Sequence, residues 1–222
     1  LSTDQLADYS FAYFTGEVVV TLGTSKTIPA NAFSRYRGSS ITLPEGLTSI
    51  GANAFNGCDG PETLVLPGTV TSIGDNAFEE SSFTTIELSA ALTSIGESAF
   101  ASSSLTSIVI PDGVEEIAES AFEGSVSLAS VELPASLTVL GNYAYADCTA
   151  LTSIDLPEGL TKIGNYAFDA SGLTSLVIPS TVTSIGTNAL RDTALTSFEI
   201  RAGQLTSLPG SLLSSKDIVT FT

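Results

Sequence analysis

Histidine, tryptophan and methionine are absent from this chain of 222 residues, and cysteine occurs only at Cys58 and Cys148. Without histidine, Ser-His-Asp and Cys-His nucleophilic catalysis and histidine-ligated metal sites are excluded together. Two cysteines make no disulfide scaffold and say little about the compartment. Basic residues are also scarce, with 7 Lys plus Arg against 24 Asp plus Glu and a formal charge of -17. Such a surface repels polyanions at long range, so neither nucleic acid nor an anionic membrane surface is an expected partner. No apolar run is long enough to span a bilayer, and membrane insertion is not expected. An initiator Met and a signal pattern are missing at Leu1, so the chain is expected to be a processed or excised piece of a longer product.

Apolar residues, by contrast, make up 43% of the chain and charged residues 14%, enough to fill a core and too little charge for a disordered tail. They recur with a period. Leu105-Thr-Ser-Ile-Val-Ile-Pro111 and Leu151-Thr-Ser-Ile-Asp-Leu-Pro157 are near copies, and each precedes a block such as Leu160-Thr-Lys-Ile-Gly-Asn-Tyr-Ala-Phe168. The closing residues Phe33, Phe55, Phe78, Phe100, Phe122, Tyr145, Phe168, Leu190 and Leu212 advance by 22 or 23 positions at every step. Pro44, Pro67, Pro111, Pro134, Pro157 and Pro179 keep the same phase, with Ser89 and Arg201 at the two missing places. A period in the range of roughly 20 to 29 residues is that of leucine-rich repeats, whose units bury their apolar faces only by stacking.

Each unit reads as a short strand ended by proline, a second apolar stretch, and a turn. Leu105, Ile108 and Ile110 follow the L-x-x-L-x-L spacing, and proline ends the strand because it donates no ladder hydrogen bond. Gly51, Gly74, Gly96, Gly141, Gly164 and Gly186 recur after the second stretch, where a positive φ or a close approach between coils would require glycine. The segment from that glycine to Phe is predicted as a helical turn. Asn or Ser before Ala-Phe in six of eight units, from Asn31 to Asn188, would cap it, and Tyr143 and Tyr166 break the pattern. At the amino end, Leu6-Ala-Asp-Tyr-Ser-Phe11 matches the same block and Val18 to Leu22 supplies a strand. At the other end, Ile218 to Phe221 is a candidate last strand.

The paired I-x-L-P and I-G-x-x-A-F blocks resemble the BspA-like, or Treponema pallidum type, leucine-rich repeats over nearly the whole chain. The resemblance implies an α/β repeat solenoid, right-handed, with a parallel β-sheet on the concave face and short strands or helical turns on the convex face. It would fill 1–222 as one domain, with degenerate repeats in 1–40, regular 22- and 23-residue repeats in 41–212 and a terminal strand in 213–222. The family cysteine after A-F-x-x is matched by Cys58 and Cys148 and replaced by Ser81, Ser103, Ser125 and Ser171. Gly113 and Gly159 stand where other leucine-rich repeats carry Asn or Cys, so a buried asparagine ladder is not expected. The family further implies a secreted or cell-surface protein that binds host matrix proteins, other cells or glycans, with no catalytic residue or cofactor to carry over.

Sheet alternation assigns candidate binding positions on the concave face. The residue between Ile and Leu is Val65, Glu87, Val109, Glu132, Asp155, Val177 or Glu199, and the residue before Ile is Thr63, Thr85, Ser107, Ser130, Ser153, Ser175 or Ser197. At about 4.8 Å per coil, eight repeats give a wall on the order of 40 Å long. The partner would be a protein or a glycan met by a monomer. Two other readings stand beside this one: a passive spacer or accessory domain of a larger surface protein, and a glycoside hydrolase using paired carboxylates, which needs two of them within about 10 Å in a pocket.

The remaining features have local readings. Cys58 and Cys148 lie four coils apart, about 20 Å at sheet spacing and far beyond disulfide reach, so two buried free thiols are expected. Asp59, Glu79, Glu80, Glu123, Asp147, Asp169 and Asp192 gather in the variable tails, but no D-x-D-x-D-G calcium loop is present and solvated edge charge is the expectation. Arg35, Arg37 and nearby Lys26 form the one basic cluster. Thr48, Thr71, Thr93, Thr138, Thr161, Thr183 and Thr206 make a column interrupted by Glu115. Such an array could match an ice lattice, although uneven steps argue against a flat template.

Overall fold

The computed structural model describes residues 1–201 together with 203, 205, 208, 209, 211 and 212; Thr206 and the candidate strand Ile218 to Phe221 lie outside the described residues. In chain order the strands are β1 (Val18–Val19), β2 (Thr27–Ile28), β3 (Ile41–Thr42), β4 (Ser49–Ile50), β5 (Thr63–Val65), β6 (Ser72–Ile73), β7 (Thr85–Glu87) and β8 (Ser94–Ile95). They continue with β9 (Ser107–Val109), β10 (Glu116–Ile117), β11 (Ser130–Glu132), β12 (Val139–Leu140), β13 (Lys162–Ile163), β14 (Ser175–Ile178), β15 (Ser184–Ile185) and β16 (Ser197–Ile200). All pairings between them are parallel, each strand meeting its counterpart one repeat later, as in Val131 against Ile108 and Ile50 against Ile73.

The chain therefore winds as a parallel β-solenoid of about eight coils. Each coil has a first wall (β1, β3, β5, β7, β9, β11, the segment 153–155, β14), a second wall (β2, β4, β6, β8, β10, β12, β13, β15) and a turn wall that ends on the aromatic series. Beyond coil 8, β16 begins another first-wall strand. Short strands suffice because every coil needs only a few ladder bonds once its apolar residues face inward. Phe33, Phe55, Phe78, Phe100, Phe122, Tyr145 and Phe168 are fully buried in one file. Their neighbouring ring centroids lie 5.1 to 5.7 Å apart with planes within 8° of parallel. Phe11 extends the file, stacking on Phe33 at 4.9 Å, which places the degenerate first block in register with the rest.

The turn wall corrects one expectation. Among the described residues the only helical segment is a single 3-10 turn, Thr3–Gln5. The residue read as a helix cap is left-handed in every coil: Asn31, Asn53, Asn76, Ser98, Ser120, Tyr143, Tyr166 and Asn188 have φ between 52° and 56°. A second left-handed residue follows four positions later, from Arg35 to Asp192, and Tyr9 and Tyr13 begin both series. Each positive φ reverses the chain before a helix can propagate. The freed amides bond to the next coil instead, as in Asn31 N–H to Ala52 O (3.0 Å) and Phe33 N–H to Ala54 O (2.7 Å). Asparagine suits these positions because it tolerates the left-handed region, not because it caps.

The recurrent glycines serve the close approach; none of them has a positive φ. A Cβ on Gly164 would stand 2.5 Å from Asn142 N, and one on Gly186 2.3 Å from Asn165 N. Coil 5 carries Ala118 at this position. There the second-wall sheet is interrupted, running β2-β4-β6-β8 and then separately β10-β12-β13-β15. On the first wall β5-β7 and β9-β11 are likewise separate sheets, so coils 4 and 5 face each other without ladder pairing on either strand wall. The turn wall holds them, through Phe100 N–H to Ala121 O (2.8 Å), Ser102 N–H to Glu123 O (2.7 Å) and the Phe100–Phe122 stack, and beside the first wall Thr106 N–H reaches Thr84 O at 3.1 Å.

Candidate functional site

The first wall presents the candidate strip. In β5, β7, β9 and β11 the middle residue is buried and both flanking residues are exposed, so Thr63, Val65, Thr85, Glu87, Ser107, Val109, Ser130 and Glu132 point outward. Ser153, Asp155, Ser175, Val177 and Ser197 are exposed in the later coils, and Glu199 is half-buried. Pairing of Val19 with Thr42 adds an earlier member of the row, and Val19 is 60% exposed. Val65 and Val109 are 54% and 59% exposed, large values for apolar side chains on a wall whose interior positions are closed.

The strip is not a continuous sheet. Its ladder opens between β3 and β5, between β7 and β9, and on both sides of 153–155, which forms no strand. A groove of about 410 Å³ lies between Thr42 and Val65, one of about 390 Å³ between Glu87 and Val109, and one of about 290 Å³ between Asp155 and Val177. Arg201 reaches the rim of the third groove, at one of the two places where the proline series has no ring. Its guanidinium Nε donates to Glu199 Oε1 at 2.7 Å, which holds the Glu199 carboxyl below its usual value and raises the guanidinium. This pair is hidden in the sequence, where Arg201 stands only as a substitute for proline.

Hydroxyl groups off the strip serve the stack. Thr71, Thr93, Thr161 and Thr183 each donate through Oγ1 to the carbonyl of the residue one coil earlier, at 3.0 to 3.2 Å. Thr84, Thr106, Thr174 and Thr196 do the same beside the first wall at 3.2 to 3.3 Å. A threonine array whose protons are committed to backbone carbonyls offers an ice lattice only acceptor lone pairs.

Cys58 and Cys148 are free and buried, and burial pushes both thiols up to about 12. Cys148 Sγ lies 3.1 Å from Phe122 O. Asp169 departs from the expectation of solvated edge charge. It is buried and clasped by Arg191, whose Nε donates to Oδ1 at 2.8 Å and whose Nη2 donates to Oδ2. Arg191 also lies 5.1 Å over the Tyr166 ring, itself stacked on Tyr143. The basic cluster is a local contact: Arg35 donates to Tyr13 OH at 2.9 Å and Arg37 sits 5.2 Å over the same ring. Among the described residues no group of three or more Cys, Asp or Glu is placed to hold a metal, and no helix is long and apolar enough to cross a membrane.

Residues 26–151 and 93–220 match the BspA type leucine-rich repeat region, in six copies. The chain belongs to this family. As a BspA-type protein it is similar to the leucine-rich repeat protein of T. pallidum, at 25% identity and a TM-score of 0.52 over 63% of this chain and 80% of that one. It is also similar to the pneumococcal vaccine antigen PcpA, at 20% identity and a TM-score of 0.49 over 94% of this chain and 70% of that one. A leucine-rich cell surface protein of Faecalibacterium prausnitzii matches at 21% identity and a TM-score of 0.46, over 89% and 76% of the two chains. No curated protein sequence matches. The BspA-type repeat accounts for the coil and its buried columns, and leaves the exposed strip to be read from its own residues.

Proposed function

We propose that this BspA-type chain is a non-enzymatic recognition module, acting outside the cell or at its surface as a monomer, with the first wall as its contact face for another protein. The observation that carries the reading is the outward row on that wall, where valines at Val65, Val109 and Val177 remain exposed beside Ser, Thr and carboxylate groups. Exposed aliphatic groups flanked by hydrogen-bonding side chains share with protein contact surfaces the arrangement of an apolar centre and a polar rim. BspA-type membership supports a surface location. A second reading, a passive spacer, is favoured by the rows of hydroxyls that stitch each coil to the one before.

The test is binding of the immobilised chain to matrix proteins and to glycans, repeated with a variant carrying Ser107→Arg, Ser130→Arg and Ser153→Arg. A protein ligand lost on that substitution is the expected result. Binding that persists unchanged moves the contact to another wall, and no binding to any ligand leaves the spacer.

A further inference from the structure

We infer that the first wall takes an extended, lysine-bearing polypeptide, one cationic side chain entering each of its three grooves; this deepens the proposed function and rests on it. Each groove combines the same parts. A valine of the strip stands at one side, a proline of the following turn closes one end, and a carboxylate stands on the rim. They are Val65, Pro67 and Glu45 in the first groove, Val109, Pro111 and Glu87 in the second, and Val177, Pro179 and Asp155 in the third. Glu158 adds a carboxylate to the third, where Ser180 Oγ lies 3.2 Å from its Oε2, and Arg201 opposes it from the far rim.

The arrangement fits a side chain that is aliphatic along its stem and positive at its tip, since the stem lies against valine and proline while the ammonium reaches the rim carboxylate. The chain as a whole carries a formal charge of -17, which attracts such a partner before contact. Spacing points the same way. The grooves fall between coils 2 and 3, 4 and 5, and 7 and 8, and the aromatic file sets the coil repeat at 5.1 to 5.7 Å. The first two grooves are therefore about 10 Å apart and the second and third about 15 Å, distances that an extended chain crosses in about three and about five residues. A polyproline-type peptide places every third side chain on one face at about 9 Å intervals. An anionic peptide meets carboxylates at all three grooves and is repelled.

The experiment measures anisotropy of a fluorescein-labelled peptide of four Lys-Pro-Pro repeats, with a Glu-Pro-Pro counterpart, at 0.15 M salt. Neutralising the grooves with Glu45→Gln, Glu87→Gln and Asp155→Asn is expected to weaken the lysine peptide about tenfold, the product of three roughly twofold losses. Val65→Ser, Val109→Ser and Val177→Ser, which leave the charge unchanged, are expected to weaken it severalfold. Glu80→Gln, Glu97→Gln and Glu119→Gln, an equal charge change away from the grooves, should leave affinity within about twofold. Folding of each variant is confirmed by its thermal transition. Equal loss in the two neutralised variants, or full affinity in the valine variant, overturns the proposal in favour of diffuse attraction. If the lysine peptide fails to bind while a neutral protein or a glycan binds in a manner lost with the Ser107, Ser130 and Ser153 substitutions, the cationic partner is refuted and the first wall stands.

Discussion

Restoring the repeat at coil 5 should join the two halves of the solenoid. In other coils the second-wall amides bond backward by rule, as in Thr93 N–H to Thr71 O (2.9 Å) and Gly96 N–H to Ile73 O (2.9 Å), with Thr93 Oγ1 adding a third bond at 3.2 Å. Coil 5 has Glu115, Glu116 and Ala118 where coil 4 has Thr93, Ser94 and Gly96. A Cβ at the glycine position falls within van der Waals exclusion of the preceding coil, so Ala118 holds β10 off β8, and Glu115 has no hydroxyl to donate. A groove of about 450 Å³ opens between them.

Glu115→Thr, Glu116→Ser and Ala118→Gly together should restore three hydrogen bonds of about 1 kcal/mol each, against about 0.5–1 kcal/mol for the added backbone freedom of glycine. The net is about 2 kcal/mol at one junction. In a linear array stability is a sum of coil terms and nearest-neighbour terms, so this gain falls on the weakest coupling. Hydrogen exchange should show it first: amides of Ile95, Glu115 and Ala118 should exchange earlier than those of Ile73 and Leu140 in the parent, and match them in the variant. The melting temperature should rise by about 4–8 °C, at about 2–4 °C per kcal/mol for a chain of this size. If the parent already protects Ile95 and Ala118 as well as Ile73 and Leu140, the junction is not weak and the reasoning fails.

Tyr145 is fully buried in a file of phenylalanines and its hydroxyl has no partner; Tyr145→Phe should therefore stabilise by about 1–3 kcal/mol in chemical denaturation. For the thiols, the unfolded value is about 8.5 and the folded value about 12, so the folded chain retains protons that the unfolded chain has lost. Stability should be at full strength below about pH 8.5 and fall toward pH 12 by up to about 2.7 kcal/mol per unit for the two groups, a slope that a Cys58→Ala, Cys148→Ala variant should largely lack. Iodoacetamide should modify neither thiol until the chain unfolds. Arg191→Met should lower the melting temperature by stranding the buried Asp169 carboxylate, and adding Asp169→Asn should recover part of that loss.

The columns are legible in the sequence because each buried position is repeated by residue type: the Phe file, the strand apolar residues and the glycines follow from period alone. The turn wall is not, because asparagine and serine favour both helix caps and left-handed turns. Tyr143 and Tyr166 are the clue, since tyrosine caps poorly and both have φ near 55° like the asparagines around them. Asp169 reads as solvated when it is considered within its own coil. The missing signal is lateral: residues 22 or 23 apart are neighbours, which pairs Asp169 with Arg191, Glu79 with Asn56 and Glu119 with Asn142. The outward strip follows from strand alternation, whereas its grooves depend on where the ladder opens, a property of pairs of coils.

Two of those openings coincide with particular residues. Along the strip, carboxylates mostly alternate with valine, as in Val65, Glu87, Val109 and Glu132, which keeps like charges two coils apart. Glu132 and Asp155 break the alternation and stand in adjoining coils, about 4.8 Å apart at ladder spacing, where like charges directly opposite each other are destabilising. The segment 153–155 is the first-wall stretch that forms no strand. The opening between β7 and β9 lies at the same junction as Ala118 and the break in the second wall. The openings between β3 and β5 and between 153–155 and β14 have neither feature, and no residue there explains them. A regular repeat thus makes the stack, and departures from it on one coil decide where the wall admits a side chain.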